Sequence, residues 1–245
     1  MTFSFSRLLR SFKNDRYRKN PSNKSAPDRA QLAALNVGAI NAEQVMYYCD
    51  SLATGAPPKE LKKYLGDYYD VIDTETALQT LDWLQNEGHR HCFEQIQRLE
   101  EPVTTMTGSN MEILWPELEV TEQLRLLSYA QNLAACIDLL AEHEYIHGVE
   151  DLKRISIEAW DMGRLVMVAR SCFDGGYITE ETCWAYILNA YRRCKAVYPD
   201  WNELAKGYIV GRSMWGGDNM TIHGILSIAH NLCTDDESPW KQMNF

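Results

Sequence analysis

The feature that most constrains the fold is a helical stretch in which glycine, arginine and tryptophan recur. Residues 159–217 read AWDMGRLVMVARSCFDGGYITEETCWAYILNAYRRCKAVYPDWNELAKGYIVGRSMWGG. Glycine inside a helix costs about 1 kcal/mol relative to alanine, and an arginine on an apolar face needs a polar partner. Their repeated use therefore indicates helices that pack closely around a polar network. The pattern constrains the architecture and indicates no reaction.

Apolar residues recur with helical spacing almost throughout the chain from residue 31 onward. We expect helices at about 30–37, 41–53, 58–66, 74–87, 89–99, 121–148, 151–173, 180 to before Pro199, 201–216 and 220–232. Because nearly every residue from 133 to 141 is apolar, the helix over 121–148 is predicted to be the central, fully buried one. The irregular segment 101–119 is the only candidate for a short strand. The fold class predicted is all-α, a single multi-helix globular domain with a short amphipathic N-terminal helix.

The charge of the chain divides it into unequal parts. Residues 1–30 hold eight Lys/Arg and two acidic residues, whereas the remainder holds 16 and 32. An acidic body repels nucleic-acid phosphates, so no nucleic acid is expected as a partner. We predict a basic amphipathic leader and linker at 1–30, an all-helical domain at 31–233 and a polar tail at 234–245. Residues 3–13 form a helix with a basic face, typical of a weak membrane-surface contact or of docking on a protein, or simply pack on the domain.

The seven cysteines are scattered, odd in number and form no CxxC pair. Free thiols at apolar helical positions are typical of a reducing compartment, which predicts a cytoplasmic location. No run approaches the roughly 18 apolar residues of a membrane span, and arginine interrupts the apolar N-terminal stretch, so neither a transmembrane segment nor a secretory signal is expected.

Two glycine-arginine pairs lie near tryptophans in this helical sequence. Trp160, Gly163 and Arg164 share one helix face, Asp161 lies one turn before Arg164, and Arg212 lies one turn before Trp215. Each guanidinium is expected to stack on an indole and to pair with Asp161 or Glu203. Two interpretations stay open: a buried ion-pair network that fixes helix docking, or an arginine-lined pocket for a carboxylate or phosphate.

His89 and Arg90 follow Gly88, which is placed to end a helix. They are expected to cap carbonyl groups and to pair with Glu87 or Glu94, or else to join the anion pocket. The candidate binding residues are Asp161, Arg164, Arg212, His89, Arg90, Trp160 and Trp215; no catalytic residue is assigned.

These motifs resemble a bacterial domain family of unknown function, DUF1266. The resemblance rests on LNVGAIN (35–41), LDWLQNEGHR (81–90), AWDMGR (159–164), GGYITEETCWAYI (175–187), YPDW (198–201) and GYIVGRSMW (207–215). The chain departs from the family pattern at Ser171 and Cys172, where a tryptophan-glycine pair is usual, and after Gly66-Asp67, where two tyrosines follow. The family carries no established activity, so the resemblance supports the all-α fold alone.

Residues 143–147 read HEYIH, which has the spacing of a zinc-binding helix motif. On a helix, His143 and His147 would lie one turn apart, with Glu144 as general base and Glu158 as a distant third ligand. The motif lies outside the family pattern and close to a helix end at Gly148. The sequence therefore favours no cofactor, with zinc as the alternative.

The absence of a catalytic signature favours a non-enzymatic, cytoplasmic helical protein-interaction module, an adaptor or an inhibitor-type binding protein, with another protein as its partner. The alternative is a hydrolase-type enzyme that uses the arginine-lined anion pocket or a zinc site at HEYIH.

Overall fold

The computed structural model describes residues 16–22, 26–100, 102–109 and 111–245. All regular structure in these ranges is helical, and they contain no strand, so the all-α prediction is confirmed. The predicted amphipathic helix at 3–13 lies outside the described residues. None of the described helices combines the length and the apolar character that a membrane crossing requires.

The α-helices, in chain order, are α1 (Arg29–Asn36), α2 (Ala39–Val45), α3 (Pro58–Tyr69), α4 (Thr74–Asn86), α5 (Arg90–Gln97), α6 (Met111–Leu114), α7 (Val120–Ala135), α8 (Ile137–Glu142), α9 (Glu158–Asp174), α10 (Glu180–Val197), α11 (Trp201–Gly216), α12 (Met220–Thr234) and α13 (Pro239–Gln242). Short 3-10 turns occupy Val103–Thr105 and Val149–Lys153.

Local capping residues set the start of several helices. Asp73, Thr179 and Asp200 each accept a hydrogen bond from a backbone N–H in the first turn of α4, α10 and α11. The helix predicted at 41–53 is shorter, since Met46 adopts a left-handed conformation (φ 60°) and ends α2 at Val45. The chain then runs as a loop to Pro57.

The central helix is α9, and the prediction that 121–148 fills this place is wrong. Every residue of α9 from Leu165 to Cys172 is at most 5 % exposed, and α9 packs on α2, α3, α4, α10 and α11. The predicted long helix is interrupted at Cys136, whose ψ of −2° separates α7 from α8. The side of α7 that faces solvent includes Leu124, which is 52 % exposed.

The helices α9 and α11 cross at glycine. A Cβ on Gly211 would lie 2.5 Å from the Cβ of Trp160, and one on Gly163 would lie 3.1 Å from the ring of Tyr208. Any side chain at either position would push the two helices apart. The close crossing that the sequence predicted at these glycines is therefore present.

Residues 234–245, predicted as a polar tail, fold onto the domain. Trp240 is 3 % exposed, its ring stacks on Trp201 with centroids 5.2 Å apart, and its indole N–H donates to the carbonyl of Asn36 at 2.7 Å. The described part of the N-terminal linker is also attached, since the Cys49 N–H donates to the carbonyl of Arg18 at 2.7 Å.

Candidate functional site

Asp161 lies at the centre of a buried polar cluster in the first turn of α9. Its side chain is inaccessible to solvent and accepts hydrogen bonds from the backbone N–H groups of His89 and Arg90, both at 2.9 Å, and from Arg90 Nη1 at 3.2 Å. The preceding Gly88 adopts φ +61°, and a Cβ there would overlap the Asp161 carboxylate. Glycine therefore lets the turn between α4 and α5 close on this carboxylate.

Arg90 of α5 bonds to α4 and α9, and Glu158 extends this link to α10. Its guanidinium donates to the carbonyls of Leu84 at 2.9 Å and Gln85 at 2.7 Å, which confirms the predicted capping of α4. The predicted pairing with Glu87 or Glu94 is wrong: Nε lies 3.2 Å from Oε2 of Glu158 in α9. Glu158 Oε1 is in turn 2.5 Å from Nε of Arg193 in α10. Arg90 therefore pairs with a carboxylate that the fold brings close, and not with an acidic residue that is close in the sequence.

Arg164 completes the cluster on the side toward α3. Its Nη1 lies 2.7 Å from His89 Nδ1 and 3.8 Å from Asp161 Oδ1, and its guanidinium stacks 5.1 Å from the Trp160 ring and 5.6 Å from the Tyr69 ring. Because an arginine can only donate, Nδ1 of His89 accepts this bond and the imidazole is neutral. The predicted stacking on Trp160 and pairing with Asp161 are both present.

Electrostatics agree with a charged carboxylate beside a neutral imidazole. Burial lowers the pKa of His89, and the charge of Arg164 lowers it further, against an opposing effect of Asp161. Burial by itself raises the pKa of Asp161, but hydrogen bonds from His89 and Arg90 and the charge of Arg164 hold it below its usual value. The cluster therefore keeps its ion pairs at neutral pH.

Arg212 is separate from this cluster. It is 4 % exposed and stacks 5.3 Å from the Trp215 ring, as predicted. The expected partner Glu203 instead pairs with Lys206 at 3.8 Å, and within the described part of the chain Arg212 forms no ion pair. Its Nη2 lies 3.4 Å from Asn219 Oδ1, and its buried Nη1 has no acceptor there. The two glycine-arginine pairs thus differ in their partners, although the rings of Trp160 and Trp215 beside them are only 6.0 Å apart.

The HEYIH residues do not form the geometry of a zinc helix. Helix α8 ends at Glu142, and Glu144 adopts φ +60°, so His143 and His147 do not lie one turn apart on a helix face. Glu158 is held by Arg90 and Arg193. In the ranges that the structure describes, no three His, Cys, Asp or Glu side chains are grouped to hold a metal.

Sequence reasoning gave no role to Arg170, which is 2 % exposed in α9. Its guanidinium donates to four carbonyls of the loop after α2, those of Tyr48, Ser51, Leu52 and Ala53. A lone arginine inside the apolar run 165–172 was the available signal. The departure at Ser171 places a hydroxyl 3.0 Å from the Tyr47 hydroxyl, so it alters the packing of this same loop.

Comparison with known proteins identifies the family of this chain. Residues 64–245 match the family model described as protein of unknown function DUF1266. No curated protein and no solved structure matches the chain. The matched range covers most of the chain and contains His89, Arg90, Asp161, Arg164 and Arg212, and it extends through the C-terminal segment that packs Trp240 on the domain. The chain therefore belongs to the DUF1266 family.

Proposed function

We propose that this chain is a non-catalytic helical module that acts by binding another protein in the cytoplasm. The Asp161 cluster supports a structural role for the polar residues, because the carboxylates of Asp161 and Glu158 are occupied by arginines and backbone N–H groups of neighbouring helices. Groups bonded to each other in the interior are not available to a substrate. Seven free cysteines favour a reducing compartment.

The observation that carries the proposal is a fixed turn that exposes two large apolar side chains. Trp215, near the end of α11, is 47 % exposed, and Met220, which begins α12, is 74 % exposed. Asn132 Nδ2 lies 3.2 Å from the Met214 carbonyl and 3.3 Å from the Trp215 carbonyl, so it holds the end of α11 on α7. Exposed tryptophan and methionine on a preorganised turn are typical of protein-binding hot spots.

Charge defines the partner that fits this turn. Residues 31–245 hold 32 acidic and 16 basic residues, and Asp218 lies in the turn itself. A partner with a basic surface around an apolar pocket matches both the charge and the two side chains. Its association should weaken as salt is added.

Co-purification of the full chain at its native expression level tests the proposal. We compare Trp215→Ala/Met220→Ala and Met220→Ala with Ile72→Ala/Val197→Ala, a control at side chains that are 70 % and 44 % exposed elsewhere. The expected result is one partner that the wild type and the control retain and the double variant loses, with a Kd at least about tenfold weaker for the purified pair. Binding that all variants retain equally, or no partner at all, overturns it. Met220→Ala keeps Trp215 in place, so a loss of binding in this variant cannot result from unfolding caused by removal of the Trp215 side chain.

A further inference from the structure

A polar cleft opens between α5 and the start of α9, and neither Trp215 nor Met220 lines it. Its volume is about 230 Å³, and its lining includes Arg90, Phe93, Gln97, Lys153, Arg154 and Glu158. The 3-10 turn Val149–Lys153 forms one side. The turn lies between α8 and α9 in the sequence. Its position opposite α5 is therefore set by the fold and could not be predicted from the local sequence.

The inner end of the cleft does not repel an anion. Its carboxylate, Glu158, is 6 % exposed and lies between Arg90 Nε at 3.2 Å and Arg193 Nε at 2.5 Å. Arg90 also pairs with Asp161 at 3.2 Å, so the two guanidiniums and the two carboxylates balance, and the charge of Glu158 is compensated.

The mouth of the cleft carries two more cations. Lys153 has only a solvent-exposed pairing with Glu150 at 3.6 Å, and Arg154 forms no ion pair with any residue in the described ranges. The acidic side chain at the rim, Glu94, lies 3.9 Å from Arg98. The positive charge of the cleft therefore comes from Lys153 and Arg154 at its mouth, on a chain whose formal net charge is −10.

The cleft is held open by its own hydrogen bonds. Gln97 Nε2 donates to the carbonyls of Leu152 at 2.6 Å and Ile155 at 2.8 Å, which fixes the segment that carries Lys153 and Arg154. The N–H groups of Glu158 and Ala159 are already bonded, to Ser156 Oγ and the Tyr198 hydroxyl. The attraction for an anion therefore comes from side-chain charge and not from the end of α9.

We propose that this cleft binds a small organic anion. The ligand's carboxylate or phosphate group lies between Lys153 and Arg154, because the Arg90 guanidinium is already bonded in the interior, and its compact apolar part lies against Phe93 and Ile155. The volume is below that of most drug-sized sites, which limits the ligand to a small metabolite-sized molecule. The site is independent of the turn proposed for protein binding, so either proposal can fail without the other.

The test is an NMR titration of the ¹⁵N-labelled full chain with phenyl phosphate, benzoate and the neutral analogue benzyl alcohol. We expect saturable shifts at residues 93–97 and 153–158 for at least one of the two anions, and much weaker binding of benzyl alcohol. Removing the charge of Lys153 or Arg154 by substitution with glutamine should weaken the anion's Kd by about fivefold each, and added salt should weaken it further.

Lys63→Gln is the matched control, because Lys63 is an exposed cation on α3 that does not line the cleft. Its Kd should equal that of the wild type. The proposal is overturned if neither anion gives saturable shifts, if benzyl alcohol binds as tightly as the anions, or if the double variant Lys153→Gln/Arg154→Gln leaves the Kd of the anion unchanged. Each of these outcomes can be read without knowing the natural ligand.

Discussion

Replacing Asp161 by alanine removes the acceptor around which α5 and α9 are joined. The side chain is inaccessible to solvent and accepts three hydrogen bonds, two from backbone N–H groups and one from the guanidinium of Arg90. After the substitution, the N–H groups of His89 and Arg90 keep no acceptor in the turn, and Arg164 loses its nearby carboxylate. The variant therefore leaves both polar groups and charge uncompensated in the interior.

The expected loss is large for a single substitution. A buried donor without an acceptor costs about 1–3 kcal/mol, and removing one partner of a buried ion pair costs about 3–5 kcal/mol. These terms overlap, so we expect the free energy of unfolding to fall by about 4 kcal/mol. In a chain of this size that loss lowers Tm by on the order of 10 °C.

Urea and thermal unfolding, followed by circular dichroism, measure this loss. Asp161→Asn, which keeps an oxygen acceptor without the charge, should lose less, and Asp67→Ala, which breaks the exposed pair with Lys63, should change Tm little. Because the folded-state pKa of Asp161 lies below its ordinary 3.8, its contribution is present above that pH and is lost as pH falls further. A Tm for Asp161→Ala close to that of Asp67→Ala would refute the structural interpretation of the cluster.

Three other perturbations test neighbouring parts of the argument. Gly88→Ala should destabilise the fold by about 2 kcal/mol or more in urea unfolding, because φ is +61° and the added Cβ overlaps Asp161; a neutral effect would contradict the close approach. Burial raises the pKa of Glu43 from 4.5 to about 7, so stability should fall as pH rises through this window, and Glu43→Gln should remove that slope. Trp240→Ala should cost about 3–5 kcal/mol, and a wild-type Tm would show that the C-terminal segment is dispensable.

The limits of several helices could be predicted because they depend on neighbouring residues. Asp73, Thr179 and Asp200 each bond to an N–H group two or three positions along the chain, so the sequence alone contains the interaction. The left-handed conformation at Met46 has no such local signal, and the helix predicted through 53 was too long for that reason.

The identity of the central helix could not be predicted from apolar content. The run 133–141 is the more apolar sequence, yet α9 is the helix packed on several sides, although it contains Asp161, Arg164 and Arg170. Their polar groups are satisfied by residues far away in the chain, such as the loop carbonyls that accept from Arg170. A polar residue in a helix therefore indicates exposure to solvent only when no distant residue can bond to it. The sequence alone does not show which distant residues the fold brings close.

The two glycine-arginine pairs show the same limit at the candidate site. Asp161 stands three residues before Arg164, whereas Ile209 stands at that position before Arg212, so only the first pair carries an acid on its own helix. The fold then adds His89 and Arg90 around Asp161 and no carboxylate within ion-pair distance of Arg212 in the described ranges. Arg212 instead relies on Trp215, Asn219 and close contact with Gly216, which leaves Nη1 unsatisfied. Arg164 therefore belongs to the core because its charge is compensated there. Arg212 is also buried, but what buries it is the shape of the turn that exposes Trp215.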